Sequence, residues 1–368
     1  LAGDVYNQED ASVSAQLALR DGFRRLESLS IPVFLVHGNH DPLASRLRSV
    51  RWPGNVTVFG ELPDAVPVFR KGEGTPLAII HGASHASGRE TRNLAALFRR
   101  TEACGLHVGL LHATPGDADG VARYAPFSQG DLKASGMDYW ALGHIHDRRE
   151  VCREPLAAYP GCTQGLHINE PGEKGCLLVT AEARPDGGYA VRTSFRPLGP
   201  AVWKTLDMDL GGAASLDELE NRLRTGLDRA VAEVWSGCEM LLVRLRLQGR
   251  TELDGLLRKG TTCAELADRL REDGSGVPRI WIKDIDVATR PCVERGALLE
   301  REDLLGEVFR LSEAARTASG LQALREGPLA PLFAHARAGK ALEPLTDEEL
   351  ARLLDDAESL CLDLLEND

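Results

Sequence analysis

The sequence predicts an α/β fold in its first half, followed by a smaller α+β region and a helical C-terminal region. Three observations support this prediction. Short apolar runs alternate with segments of helical apolar spacing, polar residues follow directly after the apolar runs, and strand-like segments follow one another without helices from about Pro171. In open α/β sheets ligands bind at the carboxyl ends of the strands, so the polar residues there are candidates for function.

The apolar runs of the first half predict buried strands over residues 33–36, 77–80, 108–111 and 139–142. A helix is predicted over residues 12–29, where Val13, Leu17 and Phe23 recur at helical spacing, and another over residues 92–101. The first half is therefore expected to alternate strands with helices.

Beyond Pro171 the pattern predicts antiparallel strands over residues 176–180, 190–195 and 203–210, which complete a second sheet of the first domain. A helix over 215–234 is expected to begin with a capping box formed by Ser215 and Glu218. Further elements are expected over 239–247 (strand), 263–270 (helix) and 279–287 (strand), and helices over 298–368. The expected domains are residues 1–200, 201–290 and 291–368.

Composition limits the classes of protein to consider. The 368 residues are 43% hydrophobic and 27% charged, as in globular proteins, and contain no apolar run long enough for a membrane helix. Residues 1–10 carry no secretory signal pattern, and the eight cysteines form no CxxC pair, so a cytoplasmic protein with reduced thiols and no membrane contact is expected. The net charge of −12 means that any attraction to nucleic acid must be local.

Chemically distinctive residues occur at four places, each directly after a predicted strand or an apolar start. They are Ala2-Gly3-Asp4, Gly38-Asn39-His40-Asp41, His112 and Gly143-His144-Ile145-His146. Aspartate, asparagine and histidine together offer a mixed oxygen and nitrogen shell, which suits manganese, iron or zinc rather than calcium. Two histidines in a turn can splay toward two ions roughly 3.5 to 4 Å apart, which would clamp one phosphate group.

These four motifs, in this order, resemble the calcineurin-like metallophosphoesterase superfamily. The surrounding sequence, including residues 137–146 and Tyr159-Pro160-Gly161, is similar to the SbcD-type DNA repair exonuclease subunits over about residues 1–210. The resemblance implies a four-layer sandwich of two mixed sheets flanked by helices. It also implies two bound divalent metal ions. Manganese is the expected metal, and iron, zinc and magnesium are the alternatives.

Roles for individual residues follow from the same resemblance. It implies that Asp4 bridges both ions, that one ion is further held by Asn39, His112 and His144, and that His146 serves the other. His40 matches the family's histidine that binds no metal and assists at the scissile phosphate. Asp41 lies where a carboxylate would orient His40 and favour its protonated form.

The function implied is metal-dependent hydrolysis of DNA phosphodiesters by the nuclease subunit of a repair complex. DNA and an SbcC-like coiled-coil ATPase, docked on residues 291–368, are the expected partners, and a homodimer is left open. One alternative is a metallophosphatase or small-molecule phosphodiesterase with the same metal core. Another is a subunit that binds DNA and the ATPase with little catalysis.

The family's first motif, Asp-x-His, does not occur in the sequence, which starts at Leu1, just before the second motif. That motif would supply two ligands to the ion served by His146. The expectation for residues 1–368 is therefore weak occupancy of that ion site and at most one well-coordinated metal, held by Asp4, Asn39, His112 and His144.

The remaining histidines and cysteines are given mainly structural roles. His81 and His85 are expected to be packing residues rather than an HxxxH metal pair, while His167 is kept as a candidate for substrate contact. Cys104, Cys152, Cys162 and Cys176 are expected to be small buried residues.

Overall fold

The computed structural model of the protein describes residues 1–6, 12–45, 50–116, 123–185, 187–273, 276–292, 295–335 and 345–365. Its backbone divides into two compact units. The first comprises Leu1–Met208, Glu220–Leu247 and Arg258–Val287, and the second comprises Asp209–Leu219, Gln248–Leu257 and Ala288–Asp368. The domain boundaries at residues 200 and 290 stay a prediction.

Ten strands lie in the described part of the first two hundred residues. In chain order they are β1 (Val33–Leu35), β2 (Val56–Val58), β3 (Asp64–Phe69), β4 (Pro76–Ala83), β5 (Leu106–His112), β6 (Tyr139–Gly143), β7 (Arg149–Arg153), β8 (Leu156–Tyr159), β9 (Gly175–Ala183) and β10 (Tyr189–Pro197). Six of them form a mixed sheet in the order β3-β4-β5-β6-β8-β7. Its four central strands are parallel, and an antiparallel strand closes each edge. The carboxyl ends of β4, β5 and β6 therefore meet on one side of the sheet.

The other strands form smaller sheets. β1 and β2 are a parallel pair, and β9 and β10 form an antiparallel pair in register from Gly175 to Ala183. Three further strands, β11 (Ala201–Asp209), β12 (Met240–Thr251) and β13 (Arg279–Pro291), form a sheet in that order. Together with the flanking helices, these sheets confirm the expected mixed α/β fold class.

The first helix, α1 (Val13–Ser28), begins after Ser12, whose hydroxyl accepts a hydrogen bond from Ala15 N at 3.1 Å. Its buried Phe23 packs against Val33 and Leu35 of β1, and this contact fixes the strand that precedes Gly38–Asp41. A short helix, α2 (Gln129–Ala134), starts with a complete capping box and was not predicted.

The predicted helix over residues 92–101 is wrong, because only Ala95–Leu97 forms one turn of 3-10 helix. The chain becomes extended at Phe98. Two residues later Arg100 N donates to Ser135 O at 2.9 Å, a tertiary hydrogen bond that a continuing helix would forfeit. Leu94, Ala95 and Phe98 of this segment are all fully buried in the core around Trp140.

The other helices among the described residues are α3 (Leu216–Ala232), α4 (Asp254–Leu257), α5 (Thr262–Asp273), α6 (Arg295–Leu299), α7 (Leu304–Ala315), α8 (Ala318–Glu326), α9 (Ala330–Ala334) and α10 (Asp347–Leu365). The expected helical C-terminal region is thus confirmed. Its core is formed by Leu298, Leu305, Phe309 and Leu362. Among the described helices, none is long and apolar enough to cross a membrane.

Candidate metal centre

Four segments of the first unit bring the sequence motifs together. The segment Leu1–Asp4 runs beside the end of β1, where Ala2 forms a parallel bridge with Val36, and Gly38–Asp41 follow that strand directly. His112 is the last residue of β5, and His144 follows β6, its parallel neighbour. Because β5 and β6 are parallel neighbours, His112 and His144 lie at one edge of the sheet. The other two segments reach that edge through contacts of His112 with Ala2 O and with Asn39 Oδ1.

Asp4, His112 and His144 lie close enough together to hold a metal ion, with their candidate ligand atoms all within 4.8 Å of one another. Asp4 Oδ2 lies 3.2 Å from His112 Nε2. Asn39 joins the group, because its Oδ1 lies 3.0 Å from His112 Nε2 and 3.2 Å from His144 Nδ1. Four of the five predicted metal ligands thus meet at one point, and we call this group the first cluster.

Glycines allow the close approach of the backbones. Gly3 has φ 84°, and a Cβ there would lie 2.6 Å from His112 Nδ1. A Cβ on Gly38 would lie 2.2 Å from Asp4 Oδ1, and one on Gly143 would lie 1.8 Å from Ala2 O. Asp4 and His144 themselves adopt positive φ values of 48° and 106°, which side-chain-bearing residues rarely do. Local backbone strain therefore accumulates at the first cluster.

The surroundings of Asp4 in the first cluster favour its ionised form. Burial raises the pKa of Asp4, but hydrogen bonds with the His112 side chain and the His40 backbone outweigh it, so its pKa lies below the usual value. The contact with His40 is made by its backbone N–H, 2.9 Å from Asp4 Oδ1. Asp4 is consequently ionised at neutral pH.

The donor set fits a divalent cation. His112 Nδ1 donates to the backbone oxygen of Ala2 at 2.8 Å, so the neutral ring presents the lone pair of Nε2 toward the oxygens of Asp4 and Asn39. When Nε2 carries a proton it donates to Asp4 Oδ2, so a proton or a cation must lie between Nε2 and these oxygens. Two imidazole nitrogens with a carboxylate and an amide oxygen suit a first-row transition metal.

His40 and Asp41 occupy different environments. His40 is exposed, whereas Asp41 is 1% exposed, and its carboxylate accepts hydrogen bonds from the backbone N–H groups of Asp4, Val5 and Gly38 at 3.1, 3.0 and 2.8 Å. These bonds tie the Leu1–Asp4 segment to the loop after β1. The predicted role of Asp41 in orienting His40 stays a prediction, as does the role of His40 at a phosphate.

His146, the fifth predicted ligand, belongs to a second group. Its candidate ligand atoms lie within 4.8 Å of those of Cys162 and Glu170. The ring is about half exposed, and Nδ1 lies 2.5 Å from Glu170 Oε1. The sequence analysis did not predict Glu170 as a site residue. The one sequence signal for it was its position between two glycines shortly after the Tyr159-Pro160-Gly161 turn. The expectation of at most one well-coordinated ion stays a prediction.

The other singled-out residues have structural partners. His81 Nε2 lies 2.9 Å from His107 Nδ1, and His85 Nε2 donates to His112 O at 2.7 Å. His167, the candidate for substrate contact, is exposed, and its Nε2 lies 3.7 Å from Glu170 Oε1.

Of the four cysteines expected to be buried, Cys152 is buried, Cys162 and Cys176 are partly exposed and Cys104 is exposed. Cys104 lies in a surface turn before β5, where its small size is not used for packing.

Comparison with known proteins identifies the family of this chain. Residues 1–148 match the family model of calcineurin-like phosphoesterases, and residues 203–290 match that of the middle domain of metallophosphoesterase YhaO. Over 338 residues the chain is 33% identical to the uncharacterized metallophosphoesterase YhaO of Bacillus subtilis strain 168, covering 89% of this chain and 78% of that protein. It is 24% identical over 337 residues to the DNA double-strand break repair protein Mre11 of Haloferax volcanii, covering 85% and 68%.

Proposed function

The chain belongs to the calcineurin-like metallophosphoesterase family, and on that premise we propose that it hydrolyses phosphodiester bonds of DNA. The observation that carries metal-dependent ester hydrolysis is the convergence of Asp4, Asn39, His112 and His144 on one point. Two features support DNA as the substrate. One is the likeness to a protein named for DNA double-strand break repair, and the other is the SbcD-type sequence context.

The residues of the first cluster would hold one ion, and His146 would contribute to a second. Divalent ions in such a site supply Lewis acidity toward phosphate oxygens and lower the pKa of an attacking water. We propose manganese, because the mixed oxygen and nitrogen donors suit it and the family context favours it. The His112 ring is held in one tautomer by Ala2 O, so its Nε2 needs no reorganisation to bind.

We assign His40 to the scissile phosphate. Its backbone N–H is fixed on Asp4, while its side chain stays exposed beside the first cluster. An imidazole there can donate a proton to the departing oxygen or stabilise its charge without displacing a ligand. The Asp41 carboxylate accepts a hydrogen bond from Gly38 N and so stabilises the loop that carries His40.

Local positive charge is available for the DNA backbone despite the net charge of −12. Arg148 and Arg149 follow His146 in the chain and are both exposed. The guanidinium of Arg148 lies 3.9 Å from the ring centroid of Phe195, so it is preorganised rather than freely rotating. We propose that these arginines contact phosphates beside the scissile bond.

Partners are part of the proposal. By the same family context, residues 291–368 would dock an SbcC-like coiled-coil ATPase. The large exposed apolar side chains on α7 and α10 are consistent with such docking, and they include Leu304, Leu311, Leu353, Leu360 and Leu364. A homodimer stays open.

The deciding experiment joins an Asp-x-His segment of the family ahead of Leu1, because residues 1–368 alone are expected to cleave feebly. It measures cleavage of linear double-stranded DNA, bis-p-nitrophenyl phosphate and p-nitrophenyl phosphate by that protein with manganese and with EDTA. We expect DNA and the diester to be cleaved only with manganese. His40→Ala should abolish cleavage with metal content nearly unchanged, whereas His144→Ala should lower both.

The matched control is His335→Ala, which removes an exposed histidine of the C-terminal region, far along the chain from the motifs. Cleavage that persists in EDTA would contradict metal-dependent chemistry. Cleavage of the monoester alone would favour the phosphatase alternative, and DNA binding without cleavage of any substrate would favour a binding subunit. Loss of metal in His40→Ala would contradict its assignment.

A further inference from the structure

A buried carboxylate meets His146, the predicted ligand of the second ion. Glu170 is 7% exposed, and its Oε1 lies 2.5 Å from His146 Nδ1. The other oxygen, Oε2, accepts a hydrogen bond from Leu166 N at 2.8 Å. Both carboxylate oxygens are thus engaged, and the one that faces His146 has a fixed position.

The segment 161–175, which carries Glu170, also holds the backbone of His146. Cys162 N and Lys174 Nζ each donate to His146 O, both at 3.4 Å. The turn that carries Glu170 is tight, because Glu170 N donates to His167 O at 2.9 Å and a Cβ on Gly165 would lie 2.7 Å from Glu170 O. His146 is therefore fixed at both its carbonyl and its ring.

We propose that Glu170 is a positioning residue for His146, an inference that rests on the proposed function of His146 as a metal ligand. An ionised carboxylate only accepts hydrogen bonds, so Nδ1 must carry the proton in the 2.5 Å contact. In the neutral ring Nε2 then has the free lone pair. Glu170 thereby selects the tautomer and ring orientation in which Nε2 binds the ion.

The alternative is that Glu170 and Cys162 bind the ion directly with His146, since their ligand atoms all lie within 4.8 Å. The geometry favours positioning. Two ligands of one ion are separated by roughly 3 Å or more when each bond is roughly 2.0 to 2.2 Å long. Nδ1 and Oε1 are closer than that and share a hydrogen bond.

The first test reads the tautomer in the metal-free protein, with histidine labelled by nitrogen-15 and the His146 signals assigned by a His146→Asn variant. We expect the Nδ1–H tautomer in the wild type and in Glu170→Gln, whose amide oxygen still accepts the bond. Glu170→Leu should move the ring toward the Nε2–H tautomer. This readout needs neither metal nor catalysis, so it stands even where the proposed DNA cleavage fails.

The second test measures manganese binding by titration calorimetry. Glu170→Leu should weaken binding at the His146 site by about 10- to 100-fold, with the first cluster unchanged, and Glu170→Gln should restore most of it. The control is His167→Ala, which removes the other imidazole near the same carboxylate and should bind as the wild type does.

Several results would overturn the proposal. An Nε2–H tautomer in the wild type would do so on its own, even if Glu170→Leu fails to fold. So would equal loss of metal in Glu170→Gln and Glu170→Leu, together with a cadmium-thiolate absorption band that Cys162→Ser removes. That combination would make Glu170 and Cys162 direct ligands.

Discussion

At the scale of single residues, backbone groups do much of the work of arranging the candidate site. The Ala2 carbonyl fixes the tautomer of His112, and three backbone N–H groups fix the buried carboxylate of Asp41. Neither contact needs a second functional side chain. A ligand whose ring is already oriented loses little conformational entropy when an ion binds.

Asp41 gives the first residue-scale prediction. Asp41→Ala leaves three backbone N–H groups, one buried and two partly buried, without their acceptor. We therefore expect a loss of about 1 to 3 kcal/mol in the free energy of unfolding, together with loss of metal. Urea unfolding and metal analysis measure both effects.

The matched control is Asp138→Ala, which removes a carboxylate that accepts from His107 N at 2.8 Å, at the opposite end of β5. It should destabilise the protein and leave the metal content unchanged. Full metal content in Asp41→Ala would contradict the tethering role of Asp41.

His81 gives a prediction on pH. Burial first, and then the charge of His107, lower the pKa of His81 to about 4 from an ordinary value near 6.5. Between pH 4 and pH 6.5, His81 is therefore protonated in the unfolded chain but not in the folded chain. Stability should fall as the pH drops from 6.5 toward 4, by on the order of 1 to 2 kcal/mol between pH 7 and pH 5.

Urea unfolding at pH 7 and pH 5 measures this effect in the wild type and in His81→Gln, which cannot titrate. The acid-induced loss should be smaller in His81→Gln. His167→Gln, at an exposed site, should retain the loss seen in the wild type. An equal loss in the wild type and in His81→Gln would show that His81 does not contribute.

At the scale of elements, the site depends on turns directly after parallel strands. β5 and β6 run side by side, and Gly143 ends β6 where the Leu1–Asp4 segment passes closest. The absence of a side chain at Gly143 is what lets Ala2 O approach. Asp4 reaches the first cluster from that segment.

Gly143→Ala should therefore abolish metal binding. Its Cβ would lie 1.8 Å from Ala2 O, a backbone atom that cannot rotate away, and overpacking of this kind costs about 1 to 3 kcal/mol. Gly22→Ala is the matched control, because nothing lies within 4 Å of a Cβ there and α1 should gain up to about 1 kcal/mol. Metal content and thermal unfolding distinguish the two variants, and normal metal content in Gly143→Ala would contradict this account.

At the scale of the whole molecule, the candidate site joins segments that are more than a hundred residues apart, since Asp4, Asn39, His112 and His144 come from four parts of the chain. An ion that binds them only in the folded state must stabilise that state. The gain is about 2.7 kcal/mol at a free metal concentration one hundred times the dissociation constant.

Manganese should accordingly raise the thermal unfolding midpoint of the wild type, and EDTA should reverse the rise. Differential scanning fluorimetry measures the midpoint. His112→Ala removes a ligand and should show a much smaller rise. A rise of equal size in His112→Ala would mean that manganese binds elsewhere.

The sequence was sufficient to predict the α/β class and the three β-strands that lead to Asn39, His112 and His144, because periodicity and apolar runs are local properties. It failed for residues 92–101, where a hydrogen bond between Arg100 N and Ser135 O competes with helix continuation. It also missed β2, β3, β7 and β8, whose alternating or short patterns are weak signals without their partner strands.

For the candidate site, the sequence by itself determined which residue types occur after which strands, and hence the metallophosphoesterase family and the predicted ligands. Only the tertiary structure decided that Asn39 Oδ1 contacts both His112 and His144. It also decided that the Asp41 carboxylate accepts hydrogen bonds from backbone N–H groups and that Glu170 hydrogen-bonds to His146. The physical reason is that motif identity is written in neighbouring residues, whereas ring orientation and hydrogen-bond partners depend on strand pairing and close backbone approach between segments remote in sequence.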